Sequence, residues 1–342
     1  MRAIIGASVC ILFRIRAISK HQISEINFTG VMTETEINSW IRPLVALVGI
    51  ILAWVTLRNA TRSWRRSFVY GWRMRRNRAF WASVKPGAPR SPRLRIIVSL
   101  TASPQRLALL EPVLASIARG QTRPPDEIHL NLPLTFARTG ETYVLPEFLT
   151  RYPVQVFRVE DLGPATKLVP TLARISDPDA WILTIDDDVR HLPAAIERLE
   201  DAAVTNPEAA HGYSDYALWR RWKPGMPVDF LAGFGGCIFR RGFFASDFDA
   251  YFKAAIAHKA CFFQDDIVIG NYLALKGTSC HRISTPDCDL ALMKRRGCLL
   301  TQAGSTDALS HGAGSGMDTK TRSHAAMDFL RRHGLAAPGR GD

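Results

Sequence analysis

From about residue 93 onward the chain alternates short apolar blocks with turn-forming residues, and the period of the blocks switches between two and about three and a half. Residues 181–185 (WILTI) are apolar and β-branched, which predicts a buried strand. The run stops at three successive carboxylates, Asp186, Asp187 and Asp188. Three earlier runs predict strands of the same kind: 95–100 (RIIVSL), 126–132 (DEIHLNL) and 154–160 (VQVFRVE). Between the first two, apolar residues at helical spacing from Leu107 to Ile117 predict one helix, with Thr101 or Ser103 as its cap and Gly120 as its stop. Residues 163–175 (GPATKLVPTLARI) read as a loop and then a helix. This β-α-β-β-α-β succession predicts an α/β fold with a mainly parallel sheet.

Downstream, residues 193–207 predict a helix, and 230–244 (FLAGFGGCIFRRGFF) set Gly233, Gly235 and Gly236 between apolar runs, where glycine signals close approach of a ligand or another chain. A helix is expected over 252–258. A second carboxylate pair, Asp265 and Asp266, opens a helix that runs to Leu275, with Gly277 as its stop. Residues 283–293 predict one more strand region, 304–318 a Gly/Ser-rich mobile stretch, and 319–332 a short final helix.

Upstream the pattern changes. Residues 43–57 (PLVALVGIILAWVTL) carry no charge. Fifteen helical residues span ~22 Å against a hydrocarbon core of ~30 Å, but Trp40, Ile41 and a snorkelling Arg42 extend the segment to the lower edge of a spanning helix. The expected organisation is an unassigned segment over 1–40, a membrane helix over 41–58, a basic juxtamembrane segment and Pro/Gly/Ser-rich linker over 59–92, a catalytic domain over 93–303, and a flexible tail with a short helix over 304–342.

Charge matters here because of where it sits. The net charge is +13, yet residues 58–95 hold twelve Lys or Arg with no Asp or Glu, while the 247 residues after them hold 27 basic and 28 acidic groups. A neutral body argues against nucleic acid as a partner, since a nucleic-acid-binding domain carries its positive charge on its own face. The cationic, aromatic stretch after the apolar segment is expected to stay cytoplasmic and to lie on anionic lipid, which places the following domain on the cytosolic side of the inner (cytoplasmic) membrane. Six cysteines form no CxxC pair, and reduced, buried thiols are expected.

The Asp triplet is the chemical centre of this reading. Adjacent anions at a strand end repel unless a cation holds them, and oxygen donors select hard ions such as Mg²⁺ or Mn²⁺ together with substrate phosphates. A solvated acidic turn that caps the next helix is the plain alternative.

The segments VSLTASPQR after a strand, GPATKL before a helix, a strand ending in DDD, a GG-containing loop and a later QDD pair together resemble GT-A-fold glycosyltransferases, most of all the bacterial family 2-like members. The resemblance covers roughly residues 93–300. It implies a Rossmann-like GT-A fold with helices flanking the mixed, mainly parallel sheet. It also implies transfer of a sugar from a nucleotide-diphosphate donor to a saccharide or lipid-linked hydroxyl acceptor, in cell-surface polysaccharide or glycolipid synthesis. By position, Asp188 and Asp186 would hold Mn²⁺ or Mg²⁺, and Asp186 and Asp187 would face the nucleotide. Thr101 and Arg106 would open the nucleotide pocket, Lys167 would face the diphosphate, and Gly235 and Gly236 would line donor and acceptor. Asp265 and Asp266 would supply the base, with Asp266 preferred, and His311 is a candidate third metal ligand. Two rivals stand beside this reading. One is a haloacid-dehalogenase-like phosphohydrolase, against which Arg190 stands where Thr or Val is wanted. The other is a non-catalytic, membrane-tethered protein that only binds.

Overall fold

The computed structural model describes residues 91–216, 227–283 and 318–338, together with 45–51, 53, 54, 58, 82, 85, 88, 89 and 316. Contacts divide the chain into two units, Met1–Trp72 and Arg73–Asp342. In the first, residues 45–51 are helical, and Val45, Leu47, Val48, Ile50 and Ile51 are exposed. The guanidinium of Arg58 lies over the Trp54 ring. Among the described residues no helix is long and apolar enough to cross a membrane, so the spanning helix expected over 41–58 is not found among them.

The second unit is built on a seven-stranded sheet in the order β3-β2-β1-β4-β6-β5-β7. Its strands are β1 (Ile96–Leu100), β2 (Glu127–Pro133), β3 (Val154–Val159), β4 (Trp181–Thr184), β5 (Ala209–Tyr216), β6 (Phe230–Arg240) and β7 (Ser279–Arg282). β1 pairs in parallel with β2 on one side and β4 on the other, and β2 pairs in parallel with β3. β6 runs antiparallel to both β4 and β5. Every residue of β1 and β4 is buried, as expected of parallel strands covered on both faces. The helices are α1 (Pro104–Leu107), α2 (Glu111–Ala118), α3 (Val169–Arg174), α4 (Ala195–Thr205), α5 (Phe248–Ile256), α6 (Lys259–Phe262), α7 (Asp265–Leu275) and α8 (Thr319–Arg332). This is the mixed, mainly parallel α/β architecture that the alternating pattern predicts.

Three departures have physical causes. The single helix expected over 107–117 is two, α1 and α2, because Pro112 sits in the first turn of α2 and cannot donate a backbone hydrogen bond to continue a helix from upstream. Ser103 does cap α1, accepting from the Arg106 amide. The run with Gly233, Gly235 and Gly236 is not a loop but part of strand β6. Helix α8, expected in a mobile tail, is packed into the core: Ala326, Met327 and Leu330 are fully buried, His258 stacks on Phe329 with ring centres 4.5 Å apart, and Gln264 donates to the Ser323 hydroxyl. The strand expected over 283–293 lies outside the described residues, apart from Ile283.

At the amino ends of the strands Arg123, fully buried, donates from Nε to Glu200 at 3.0 Å and from Nη2 to Asp126 at 2.9 Å. Glu200 also accepts from the amides of Arg93 and Leu94. The chain therefore enters the sheet through a charge cluster centred on the buried Arg123–Glu200 pair.

Candidate active site

The order β3-β2-β1-β4 means that the chain leaves β1 in one direction and returns to its other side at β4. Open α/β sheets bind ligands beyond the carboxyl ends of the strands at such a reversal. The ends of β1 and β4 are held side by side there, the Ile185 amide donating to the Ser99 carbonyl at 3.2 Å. Thr101 follows β1, and the Asp triplet follows β4. The placement of the triplet is thus a consequence of strand order.

Each carboxylate of the triplet meets a protein cation. Lys167 Nζ donates to Asp186 Oδ1 at 3.0 Å. One Arg106 nitrogen, Nη1, reaches Asp187 Oδ1 at 2.9 Å and Asp188 Oδ2 at 3.1 Å. Lys167 also lies 3.3 Å from Asp265 Oδ2, so it joins the triplet to the second carboxylate pair. Asp266 takes both its oxygens to the Gly233 amide, 3.1 Å each. In the ion pairs seen among the described residues Lys167 and Arg106 serve four of these five carboxylates, and Asp266 is held by the Gly233 amide.

The electrostatics register that surplus. Burial, with Asp265 and Asp186 nearby, pushes the Asp266 carboxyl up to about 7, although Lys167 and the Gly233 amide pull the other way. Burial and the neighbouring Asp188 and Asp186 raise Asp187 to about 6 against the opposing Arg106. Lys167 is buried, which works against its charge, but Asp186, Asp265 and Asp266 outweigh burial and hold it firmly protonated.

The backbone around these groups is arranged by two devices. In β6, residues 233–236 stand opposite the single residue Tyr213 of β5, since Ala232 pairs with Ser214 and Cys237 with Gly212. The Cys237 thiol donates back to the Ala232 carbonyl at 3.2 Å and closes this wide bulge. Gly235 and Gly236 have φ of 89° and 110°, a region L side chains rarely adopt. A Cβ on Gly233 would lie 2.5 Å from Lys167 Nζ, so the close approach that glycine allows here is by the chain's own lysine. The second device is a buried polar network beneath Lys167. Ser99 donates to the Lys167 carbonyl, Asn131 donates to Ser99 Oγ at 3.1 Å and Thr171 Oγ1 at 3.0 Å, and Arg174 donates to Asn131 Oδ1 at 2.6 Å.

The structure thus brings together Thr101, Arg106, Lys167, Asp186, Asp187, Asp188, Asp265 and Asp266, with Gly235 and Gly236 in the bulge beside β4. His311 lies outside the described residues. The ammonium of Lys167, expected to face the diphosphate, faces Asp186 and Asp265. The Gly233 amide and the Ser99–Asn131–Thr171 network were missed. Their signal was present as polar residues inside two apolar strand runs, RIIVSL and HLNL.

Among the described residues no group of three His, Cys, Asp or Glu side chains is gathered closely enough to hold a metal by itself. The donor set nevertheless suits a hard divalent ion, which typically takes one or two carboxylates and completes its shell with substrate phosphate and water. Asp186 is the most open of the three, its side chain 31% exposed against 11% for Asp187 and 18% for Asp188.

No protein-family model and no curated protein matches this chain. Solved structures do resemble it. A mannosyltransferase from Pyrobaculum calidifontis, in complex with GDP-Man and Mn²⁺, is 9% identical over 78% of this chain and 82% of its own, with a TM-score of 0.35. The 4-diphosphocytidyl-2C-methyl-D-erythritol synthase from Anaerococcus prevotii DSM 20548 is 16% identical over 48% of this chain and 76% of its own, with a TM-score of 0.32. The 2-C-methyl-D-erythritol 4-phosphate cytidylyltransferase from Francisella tularensis is 13% identical over 56% and 95%, with a TM-score of 0.35. Likeness at this distance carries no activity across, and the functional argument rests on the site.

Proposed function

We propose that this chain is a glycosyltransferase that moves a sugar from a nucleotide-diphosphate donor to a hydroxyl acceptor with the aid of Mn²⁺ or Mg²⁺. The observation that carries the reading is the acidic array at the strand reversal: a triplet beyond β4 and a second pair opening α7, joined through Lys167. Five carboxylates gathered in one array at the strand reversal favour a cationic partner such as a metal-bound diphosphate.

In this reading Asp186 and Asp188 hold the ion, and the chemistry it supplies is neutralisation of charge on the departing diphosphate. Asp266 takes the proton of the acceptor hydroxyl on a carboxylate oxygen. The raised affinity of that carboxyl for a proton suits a general base working near neutral pH. The Gly233 amide fixes the orientation of Asp266, and Lys167 keeps the base and the donor site in register. Asp265 supports the charge of Lys167 and does not take the proton itself.

Attachment to anionic membrane at the cytosolic face belongs to the same proposal. It is supported by the exposed apolar residues over 45–51 and by the twelve basic groups over 58–95. A lipid-linked or saccharide acceptor would follow from that location.

The test is a panel of sugar nucleotides incubated with and without Mn²⁺. Release of free nucleoside diphosphate in the presence of metal and acceptor supports sugar transfer. Pyrophosphate release from nucleoside triphosphates would instead make the chain a nucleotidyltransferase, phosphate release from simple esters a phosphohydrolase, and no turnover at all a binding protein.

A further inference from the structure

The loop between β2 and β3 holds one group whose chemistry nothing else in the fold uses. Residues 134–147 are mostly at the surface, with Val144 86% exposed, yet Tyr143 between them is 8% exposed and belongs to the core cluster. Its hydroxyl is shielded from solvent and has no hydrogen-bond partner. An unpaired buried hydroxyl is costly, and phenylalanine would fill the same space without that cost.

Position makes the hydroxyl pointed. Asp161 links two segments: its carboxylate accepts from the Ala137 amide in the loop at 2.7 Å and from the amide of Gly163, which opens the turn to Lys167, at 2.8 Å. Gln105, beside Arg106, donates to Glu141 of the same loop. Tyr143 therefore sits where the loop is tied to both cation-bearing segments of the acidic site. Asp161 and Asp187 raise the proton affinity of its hydroxyl and Arg158 and Arg138 lower it, beside the larger effect of burial. Arg158 lies over its ring with the guanidinium 5.5 Å from the centre, and Phe136 meets it edge-on at 6.4 Å. Arg158, which is exposed, lies at the solvent side of that ring.

We infer that Tyr143 is a donor-contact residue whose hydroxyl hydrogen-bonds the nucleoside half of the nucleotide-diphosphate donor. This rests on the proposed function and adds to it a contact no sequence motif marks. The nucleoside is favoured over the phosphates because the Tyr143 ring belongs to the apolar core cluster and meets Phe136 edge-on, surroundings that suit an uncharged ligand. The aromatic pair Phe136 and Tyr143 offers apolar area for the same ligand.

The inference makes two effects of one substitution run in opposite directions, which a structural role would not do. Tyr143→Phe should raise the melting temperature of the ligand-free protein by about 2–5 °C, because an unpaired polar group is removed. It should also weaken binding of a nucleoside diphosphate with Mn²⁺ roughly 3- to 10-fold, the loss of one hydrogen bond. Calorimetric titration of the full chain with UDP, GDP, CDP and ADP, each with Mn²⁺, reads the second effect. Tyr152 provides the contrast, since its hydroxyl is already paired with Glu111 at 3.2 Å: Tyr152→Phe should not raise the melting temperature and should leave affinity unchanged. If the wild type binds a diphosphate and Tyr143→Phe binds it equally well, the inference fails and the proposed function stands. A lowered melting temperature with unchanged affinity makes the hydroxyl structural and also overturns it. If the wild type binds none of the four, both fall together.

Discussion

Two buried cations stand at opposite ends of the same sheet, and they are kept in different company. Arg123, at the amino ends of the strands, spends its donors on Glu200, Asp126 and the carbonyls of Pro124 and Leu94, and Glu200 is shared with Arg93. With Arg93 beside it, two cations there answer three carboxylates, and solvent reaches two of the three, Asp126 and Asp201. Lys167, at the carboxyl ends, faces Asp186, Asp265 and Asp266 alone. A cluster partly open to solvent stabilises an entry point; an overloaded one holds carboxylates at raised proton affinity. The difference separates a fastening from a site.

The widest way to break that contrast is to neutralise each cation. Arg123→Met and Lys167→Met should both cost about 3–5 kcal/mol, because each leaves buried carboxylates unpaired, and urea denaturation measures it. The folded fraction of Arg123→Met should keep its turnover, whereas that of Lys167→Met should have none. Equal turnover in the two would erase the distinction. Next in size, Gly233→Ala should cost about 1–2 kcal/mol and reduce transfer at least tenfold, since its Cβ would displace the lysine ammonium; a methyl tolerated without loss would mean the bulge is slack.

The overloaded end should also set the pH response. Asp266 at about 7 and Asp187 at about 6 bind protons more tightly in the folded chain than in the unfolded one. Folded protein therefore carries the extra protons, and stability contributed by these groups falls as pH rises from about 4 to about 7 and is flat above that. Asp266→Asn should flatten the upper part of the slope, and turnover of the wild type should rise through pH 7 as the base ionises. The smallest effect belongs to Arg106→Gln. Its partners are only 11% and 18% exposed, so losing their charged hydrogen bonds should cost about 1–2 kcal/mol, while Mn²⁺ affinity measured by titration should increase as a competing cation leaves Asp187 and Asp188.

Much of this was legible in residue order because it depends on neighbours in the chain. An apolar run that stops at Asp186 has to be a strand end, and Asp265 and Asp266 before an apolar helical stretch have to open a helix; both hold in β4 and α7. What was hidden depends on pairing between distant segments. The bulge of residues 233–236 looks like a loop until Cys237 is matched to Gly212, and the glycine spacing says nothing about that register. The link from Lys167 to Asp265 is likewise invisible until α7 is placed beside residues 163–167. Pro112 was visible, but the unbroken apolar spacing around it masked the break between α1 and α2.

The account stands on a divalent cation and a diphosphate lying against the carboxylates beyond β4. Crystals grown with Mn²⁺ and UDP or GDP test it most directly. Density for the ion beside Asp186 and Asp188, with the diphosphate between them and Lys167, is the predicted result. Nucleotide bound elsewhere on the sheet, with both aspartates still paired to Lys167 and Arg106 as here, would contradict it.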